Sequence, residues 1–506
     1  MDEQLQFASK NGWKDQVFDL LNKGANPHSV NDHEYNSLHI ACVFGHIEIV
    51  LLYLEKGLSV NYENNYNITP LHLASEYGHK ELVEILIERK AEVNSLNVFG
   101  DSPLDLACKY GHENVVLILL EKGAELNIKD LYYSSQYGYE NIVKIFIDRN
   151  INVNLKDQRG PRRSALHYAC KEGHEKVVLL LLQYVEVNIQ DDHGCTPLHV
   201  ASECGNLNII MALIDHGAKI DMLTNENNSI LHHACENNHV NVVKLFLDLG
   251  LNVNIQNQYG HTPLWYSQNE NITKILLDHN ADIDIKDRIG NTPLHNACFR
   301  GYENIVKMFL DHELDINNQD HKGNTFLHNA VANGHIKIVK RLIEYGAEIN
   351  IWNNDINTPL YRAAELGYID IIKLLLKNGA NVNIVNKRGS IALHESLLHG
   401  HENISKLLIK HGSNVENILH FATSFGSTEV FKMILERKPE LDVHDMFNDT
   451  PLHSAVRRKK IEIVKLLLEN GANVNIQDIN ERTPLYYALL NNSNGIVEVL
   501  RYYKAR

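Results

Sequence analysis

The chain has 506 residues, of which 44% are hydrophobic, 22% charged and only 11 proline, the composition of folded rather than disordered protein. That length exceeds the roughly 250–300 residues at which a single hydrophobic core stops growing, so several domains or a repeat array are required. A formal net charge of −15 repels phosphate backbones and argues against nucleic acid, and apolar runs such as Val177 to Leu182 are far shorter than the ~20 residues that span a bilayer, so no membrane insertion is expected.

Taken in chain order, Met1-Asp2-Glu3-Gln4 offers neither a basic segment nor an apolar core and predicts no signal peptide. Residues 1–28 read as a helix pair around Gly12, with Lys10, Asn11, Lys14 and Asp15 giving a polar N-terminal capping repeat. Residues 29–126 hold repeats 2–4. Within them Thr69-Pro70-Leu71-His72 returns 33 residues later as Ser102-Pro103-Leu104-Asp105. Residues 127–416 hold repeats 5–13, with the same start at Thr196-Pro197-Leu198-His199, Ser229, Thr262, Thr292-Pro293-Leu294-His295, Thr325, Thr358 and Ile391. Residues 417–482 are repeats 14–15, marked by Thr450-Pro451-Leu452-His453, and 483–506 form a C-terminal capping repeat.

Each part of the unit has a physical reason. Threonine caps a helix with its hydroxyl, and proline suits the first helical position because that position needs no N–H. Leu71 and Ala74 fall at helical spacing and face inward. Glycines such as Gly45 and Gly78 adopt the left-handed conformation that ends the first helix. A second apolar helix follows, for example Ile371 to Leu376, then Gly-Ala-x-Val-Asn and a turn that projects sideways. One such helix pair cannot bury its apolar face alone, so stacking supplies the core.

Three units depart from the pattern. The step from Leu104 to Leu131 is 27 residues, so repeat 5 has a shortened turn at 127–131. The step from Leu393 to Leu419 is 26, a similar loss at Glu416-Asn417. Repeat 9 (262–291) is shortened in its first helix, where Trp265 to Asn271 lacks the usual glycine. The joints near 130 and 417 are candidate interruptions of the array.

The 33-residue period, T-P-L-H-x-A, Gly-His and Gly-Ala-x-Val-Asn resemble the ankyrin repeat over the whole chain. The resemblance implies an all-α ankyrin-repeat solenoid of about 16 helix-turn-helix modules with projecting β-turn or hairpin loops. It implies a single array over 1–506, roughly 130–160 Å in contour at helix spacings of ~8–10 Å. It also implies that turn tips and first helices line a concave face that binds other proteins, and it permits hydroxylation of repeat asparagines.

No chemistry-bearing motif competes with that reading. G-x-x-x-x-G-K-[ST], G-x-G-x-x-G, G-x-S-x-G and H-E-x-x-H are all missing, so no enzyme activity and no cofactor are expected. The 29 histidines fall mostly into two repeat slots, after T-P-L and after the helix-ending glycine. Equivalent positions lie a helix-packing distance apart, too far to share a metal, so a hydrogen-bonding ladder tying each turn to the next is expected instead. The G-A-x-V-N asparagines, among them Asn61, Asn94 and Asn350, are expected to bond their own turn. Five cysteines (42, 108, 170, 235, 298) follow alanine as small buried hydrophobes and suggest a reducing, cytoplasmic setting. The basic clusters Arg159, Arg162, Arg163 and Arg457, Arg458, Lys459, Lys460 read as solvated faces.

Candidate protein-binding residues follow from register. Turn tips carry Tyr35, Tyr66, Phe99, Tyr259, Ile289 and Phe447. The residue before the helix-ending glycine is Phe44, Tyr77, Tyr110 and Tyr137 in four successive modules, so the two sets coincide in modules 2 to 5. Interface hot spots favour such aromatics. A monomeric scaffold or adaptor is the leading functional expectation. The alternative is a host-directed effector of an intracellular microbe or virus acting in the host cytoplasm, suggested by the Asn-, Ile- and Lys-rich composition of AT-rich genomes. An enzyme with an unrecognised site is a third reading.

Overall fold

The computed structural model describes residues 1–32, 34–158, 160–416 and 418–505. Arg159 of the first basic cluster and Asn417 of the second shortened turn lie outside the described residues, as do His33 and Arg506. Among the described residues the chain is helical, with 32 helices paired into 16 modules. The only extended pairing there is an isolated bridge between Gln319 and Thr325. Two compact units are formed, residues 1–258 with modules 1–8 and residues 259–506 with modules 9–16.

Module 3 shows how the sequence dictates the unit. Thr69 is extended (φ −96°, ψ 165°) and its hydroxyl accepts the His72 N–H, while Pro70 opens the helix Pro70–Glu76. The second helix, Lys80–Glu88, turns Leu82, Val83 and Leu86 inward. With Leu71, Leu73 and Ala74 these side chains are fully buried, and each Leu or Val contributes about 1.5–3 kcal/mol. Within each unit, first helices pack on the first helices of the neighbouring modules. Thr196, Pro197, Leu198 and His199 repeat the arrangement around Pro197–Cys204, as do Thr292, Pro293, Leu294 and His295 around Pro293–Arg300. Thr450, Pro451, Leu452 and His453 do so around Pro451–Arg457.

The two histidine slots bolt modules together in opposite directions. The Nδ1 of His72 accepts the Thr69 amide at 3.1 Å, and its Nε2 meets the Asp101 carbonyl of the next module at 3.1 Å. A ring that accepts at Nδ1 and faces a carbonyl at Nε2 is the neutral Nε2–H tautomer. His167, His328 and His453 donate to Cys195, Asn357 and Arg482 in the same way. At His199 and His295 the Nε2 faces the same carbonyls (Asn228, Asn324) without hydrogen-bond geometry. Burial pushes these imidazoles down, to about 4 for His72 and His328 and about 3 for His199. The second slot reaches backward, His79 to Val43 O and His112 to Glu76 O, both at 2.8 Å.

That backward reach gives one glycine two duties. Gly78 has φ +73°, which favours glycine, and a Cβ there would lie 2.4 Å from the His112 ring. Gly400 holds the same slot at φ +71°, but module 14 carries Ser427 in place of the backward-reaching histidine and nothing lies within 4 Å.

Where modules are short, the bolts change. Module 5 begins its helix Ile128–Gln136 directly after Asn127, leaving no turn to accept a forward histidine. Module 4 correspondingly carries Asp105, whose carboxylate accepts the Ser102 amide at 2.7 Å. Module 5 repeats this with Asp130 and the Asn127 amide at 2.8 Å. Burial and the neighbouring Asp105 hold the Asp130 carboxyl well above the usual carboxylate range. In module 13 His394 packs edge-on against Phe421 at 5.1 Å. The first helix of module 9 spans only Pro263–Tyr266.

Candidate protein-binding surface

Turn tips are built by Asx turns. The Asn64 carboxamide accepts the amides of Tyr66 and Ile68 at 3.0 and 2.9 Å, which directs Tyr66 outward. Asn97, Asp287 and Asp445 do the same beneath Phe99, Ile289 and Phe447. Neighbouring tips are joined by backbone: Val98 N donates to Tyr66 O, Arg288 N to Tyr259 O and Ile479 N to Phe447 O. Tyr66 and Phe99 stack at 6.4 Å with 46% and 64% of their surfaces exposed. Tyr35 is half-buried, 5.8 Å from the His39 ring, and Tyr259 lies 5.7 Å from the His261 ring.

On the first helices, Phe44, Tyr77, Tyr110 and Tyr137 are each 44–47% exposed. Phe44, Tyr77 and Tyr137 stack on His46, His79 and Tyr139 of their own modules, at 6.2, 6.4 and 6.2 Å. The Tyr110 hydroxyl is pushed up to about 12, first by burial and then by the Glu76 carboxylate. The candidates do not form one continuous patch. Tyr35, Phe44 and Tyr77 meet Phe7, Ile40 and Val43 around a groove of about 350 Å³, Tyr66 and Phe99 form a pair, and Ile289 belongs to a second groove. Sequence register passed over Phe7, Trp265 and Phe299. For Phe299 the signal was weak, since equivalent positions are charged in several modules (Glu76, Lys109, Lys171, Glu203) but apolar in others (Val43, Leu398).

Other expected features are occupied internally. Lys460 stands in the backward histidine slot and its ammonium donates to Ser424 O at 3.0 Å. Arg457 pairs with Asp449 at 2.5 Å and lies 4.0 Å over Tyr487, while Arg458 lies over Phe425. Arg163 pairs with the buried Asp191 at 3.2 Å. Glu365, Glu395 and His399 gather their ligand atoms within 4.8 Å, but Arg362 and Tyr361 already bond the two carboxylates at 2.7 and 2.5 Å. The repeat asparagines require a correction. They bond the next module, not their own turn: Asn94 donates to Gly123 O at 3.2 Å and accepts Glu125 N at 2.9 Å. Asn61 and Asn350 bridge identically to Lys90/Glu92 and Gly379/Asn381. The buried thiols of Cys42, Cys108, Cys170, Cys235 and Cys298 are all raised by burial.

A stack of paired helices bolted through turns and glycine–histidine contacts defines a repeat protein of the ankyrin type. The family model for ankyrin repeats (three copies) matches residues 5–97, 69–130, 131–225, 220–287, 267–353, 352–418 and 419–506, and the chain belongs to this family. Ankyrin repeats are in general protein–protein interaction modules, and the fold is typically non-catalytic. The chain is 38% identical over 108 residues to human SMC5-SMC6 complex localization factor protein 1, covering 20% of this chain and 10% of that protein. It is 34% identical over 106 residues to a probable serine/threonine-protein kinase of Dictyostelium discoideum, covering 19% and 12%. It thus spans about a tenth of the length of these relatives. A crystal structure of the human ASB11 ankyrin repeat domain aligns at 27% identity and TM-score 0.37, covering 39% of this chain and 90% of that one. No helix among the described residues is long and apolar enough to cross a membrane.

Proposed function

We propose that the chain is a non-enzymatic scaffold that holds partner proteins on the face formed by its turn tips and first helices. The observation that carries this reading is the aromatic row Phe44, Tyr77, Tyr110 and Tyr137, half-exposed on four successive first helices whose other faces are buried. Rigid, partly exposed aromatics are the side chains that anchor interfaces. The repeat-slot groups serve the fold: the T-P-L-H imidazole of His72 spends both ring nitrogens on structural bonds, and the five alanine-following thiols are buried.

The test is Tyr66→Ala combined with Phe99→Ala. Both side chains are exposed, so thermal unfolding should shift little. Affinity of a partner captured by the unmodified chain should fall by about 2 kcal/mol or more, roughly thirtyfold. Unchanged affinity removes this pair of turn tips from the function.

A further inference from the structure

The truncated first helix of module 9 has a consequence in the second unit. Pro263–Tyr266 is four residues long, whereas the next first helix, Pro293–Arg300, has eight. The last turn of the longer helix therefore extends past its neighbour. Beside it opens a groove of about 460 Å³, lined by Trp265, Ile289 and Phe299 together with Arg300, His321 and Lys322. Phe299 and Ile289 are 50% and 61% exposed. The Trp265 ring is fixed by a 3.6 Å stack on His261, and its backbone carbonyl accepts the Asn296 carboxamide at 2.9 Å.

The charge of this groove is opposite to that of the chain. Arg300 and Lys322 are exposed, and neither side chain has an ion pair or hydrogen bond among the described residues. The one acid in the lining, Asp320, is spent on its own turn: Oδ1 accepts the Lys322 and Asn324 amides at 2.8 Å each, and Oδ2 accepts the Asn324 carboxamide at 3.1 Å. A protein of net charge −15 thus presents, beside an apolar trough, two cations without ion-pair partners against one carboxylate.

We propose that this groove docks an acidic peptide segment of a partner protein, a bulky apolar side chain seated among Trp265, Ile289 and Phe299 and flanking carboxylates on Arg300 and Lys322. Unpaired surface cations beside apolar anchors give charge-steered, charge-selective recognition. The inference rests on the scaffold reading above and names the partner chemistry for one stretch of that face.

The test uses the full chain and a fluorescein-labelled octapeptide, Glu-Asp-Glu-Phe-Leu-Glu-Asp-Glu, followed by anisotropy. Two control peptides replace the acids by lysine or the central Phe-Leu by Ala-Ala. The acidic peptide should bind, weaken at high salt, and bind at least tenfold better than either control. Arg300→Glu with Lys322→Glu, two exposed positions that should leave thermal unfolding unchanged, should lose at least tenfold for the acidic peptide and gain affinity for the lysine version. Phe299→Ser should weaken the acidic peptide without altering its preference over the lysine version. No binding, binding indifferent to charge, or binding untouched by the charge reversal overturns the proposal, as does self-association of the chain that the same reversal abolishes. Those failures leave the scaffold reading standing as long as partner capture still depends on Tyr66 and Phe99, and the two therefore fall separately.

Discussion

Gly78→Ala compared with Gly400→Ala separates the two duties of the helix-ending glycine. Both positions have nearly the same φ, +73° and +71°. Left-handed backbone costs a residue with a Cβ about 1–2 kcal/mol, offset by about 0.4–1 kcal/mol from the stiffer unfolded chain. Gly400→Ala, with nothing within 4 Å, should therefore cost about 1 kcal/mol. At Gly78 the new methyl would lie 2.4 Å from the His112 ring. The ring must move and surrender its 2.8 Å bond to Glu76 O. The lost bond adds about 0.5–1.5 kcal/mol and the overpacking about 1–3 kcal/mol to the backbone cost, for a total of about 2.5–5.5 kcal/mol. Long arrays lose two-state behaviour, so the readout is native-state hydrogen exchange of the adjoining helices, Lys80–Glu88 and Glu113–Glu121 for Gly78, Glu402–Lys410 and Thr428–Leu435 for Gly400. In a double-mutant cycle, His112→Ala should reduce the Gly78→Ala cost to that of Gly400→Ala. Equal costs at the two glycines, or additivity in the cycle, would refute the glycine–histidine contact as the bolt between modules.

Acid should loosen the array. His39, His72, His167 and His328 are neutral, with values depressed to about 4, mainly by burial. Unfolded histidine binds protons from about pH 6.5 downward, so their stabilisation is complete above 6.5 and is lost as pH falls from there toward 4, each contributing up to about 1.4 kcal/mol per pH unit. Urea midpoints measured across that window should fall steeply, and a flat profile would show that these rings titrate freely. Asn94→Ala removes both bonds to the following module and should cost about 1–2 kcal/mol, with faster exchange at the Glu125 amide; unchanged exchange there would contradict the bridging geometry.

Much of the fold could be read from the sequence because each module is specified locally. Threonine, proline and glycine mark helix ends by backbone chemistry that needs no knowledge of neighbours, and the period does the rest. Features that depend on adjacency were less legible. The partner of Asn94 is Glu125, 31 residues away, nearly one period, so spacing alone cannot tell a bond within a turn from one to the next copy. Gly78 advertised its φ but not the ring lying against it, because His112 belongs to another module. Lys460 looked like part of a basic patch because only packing shows an ammonium in a histidine's slot. Exposure of the aromatics followed from register, but their separation into a groove, a stacked pair and further tips did not. The second groove required two facts together, a first helix cut to four residues and a phenylalanine at a register that is charged in several other modules.

The most direct test of the scaffold account is hydroxyl-radical footprinting of the full chain bound to a partner it has captured. Side chains at the tips and first helices, Tyr66, Phe99, Ile289 and Phe447 with Phe44 and Tyr77, should lose reactivity in one or more contiguous stretches. Exposed side chains of the second helices, Leu179, Met211 and Ile336, should keep theirs. Protection confined to the second helices would place binding on the opposite face and contradict the account.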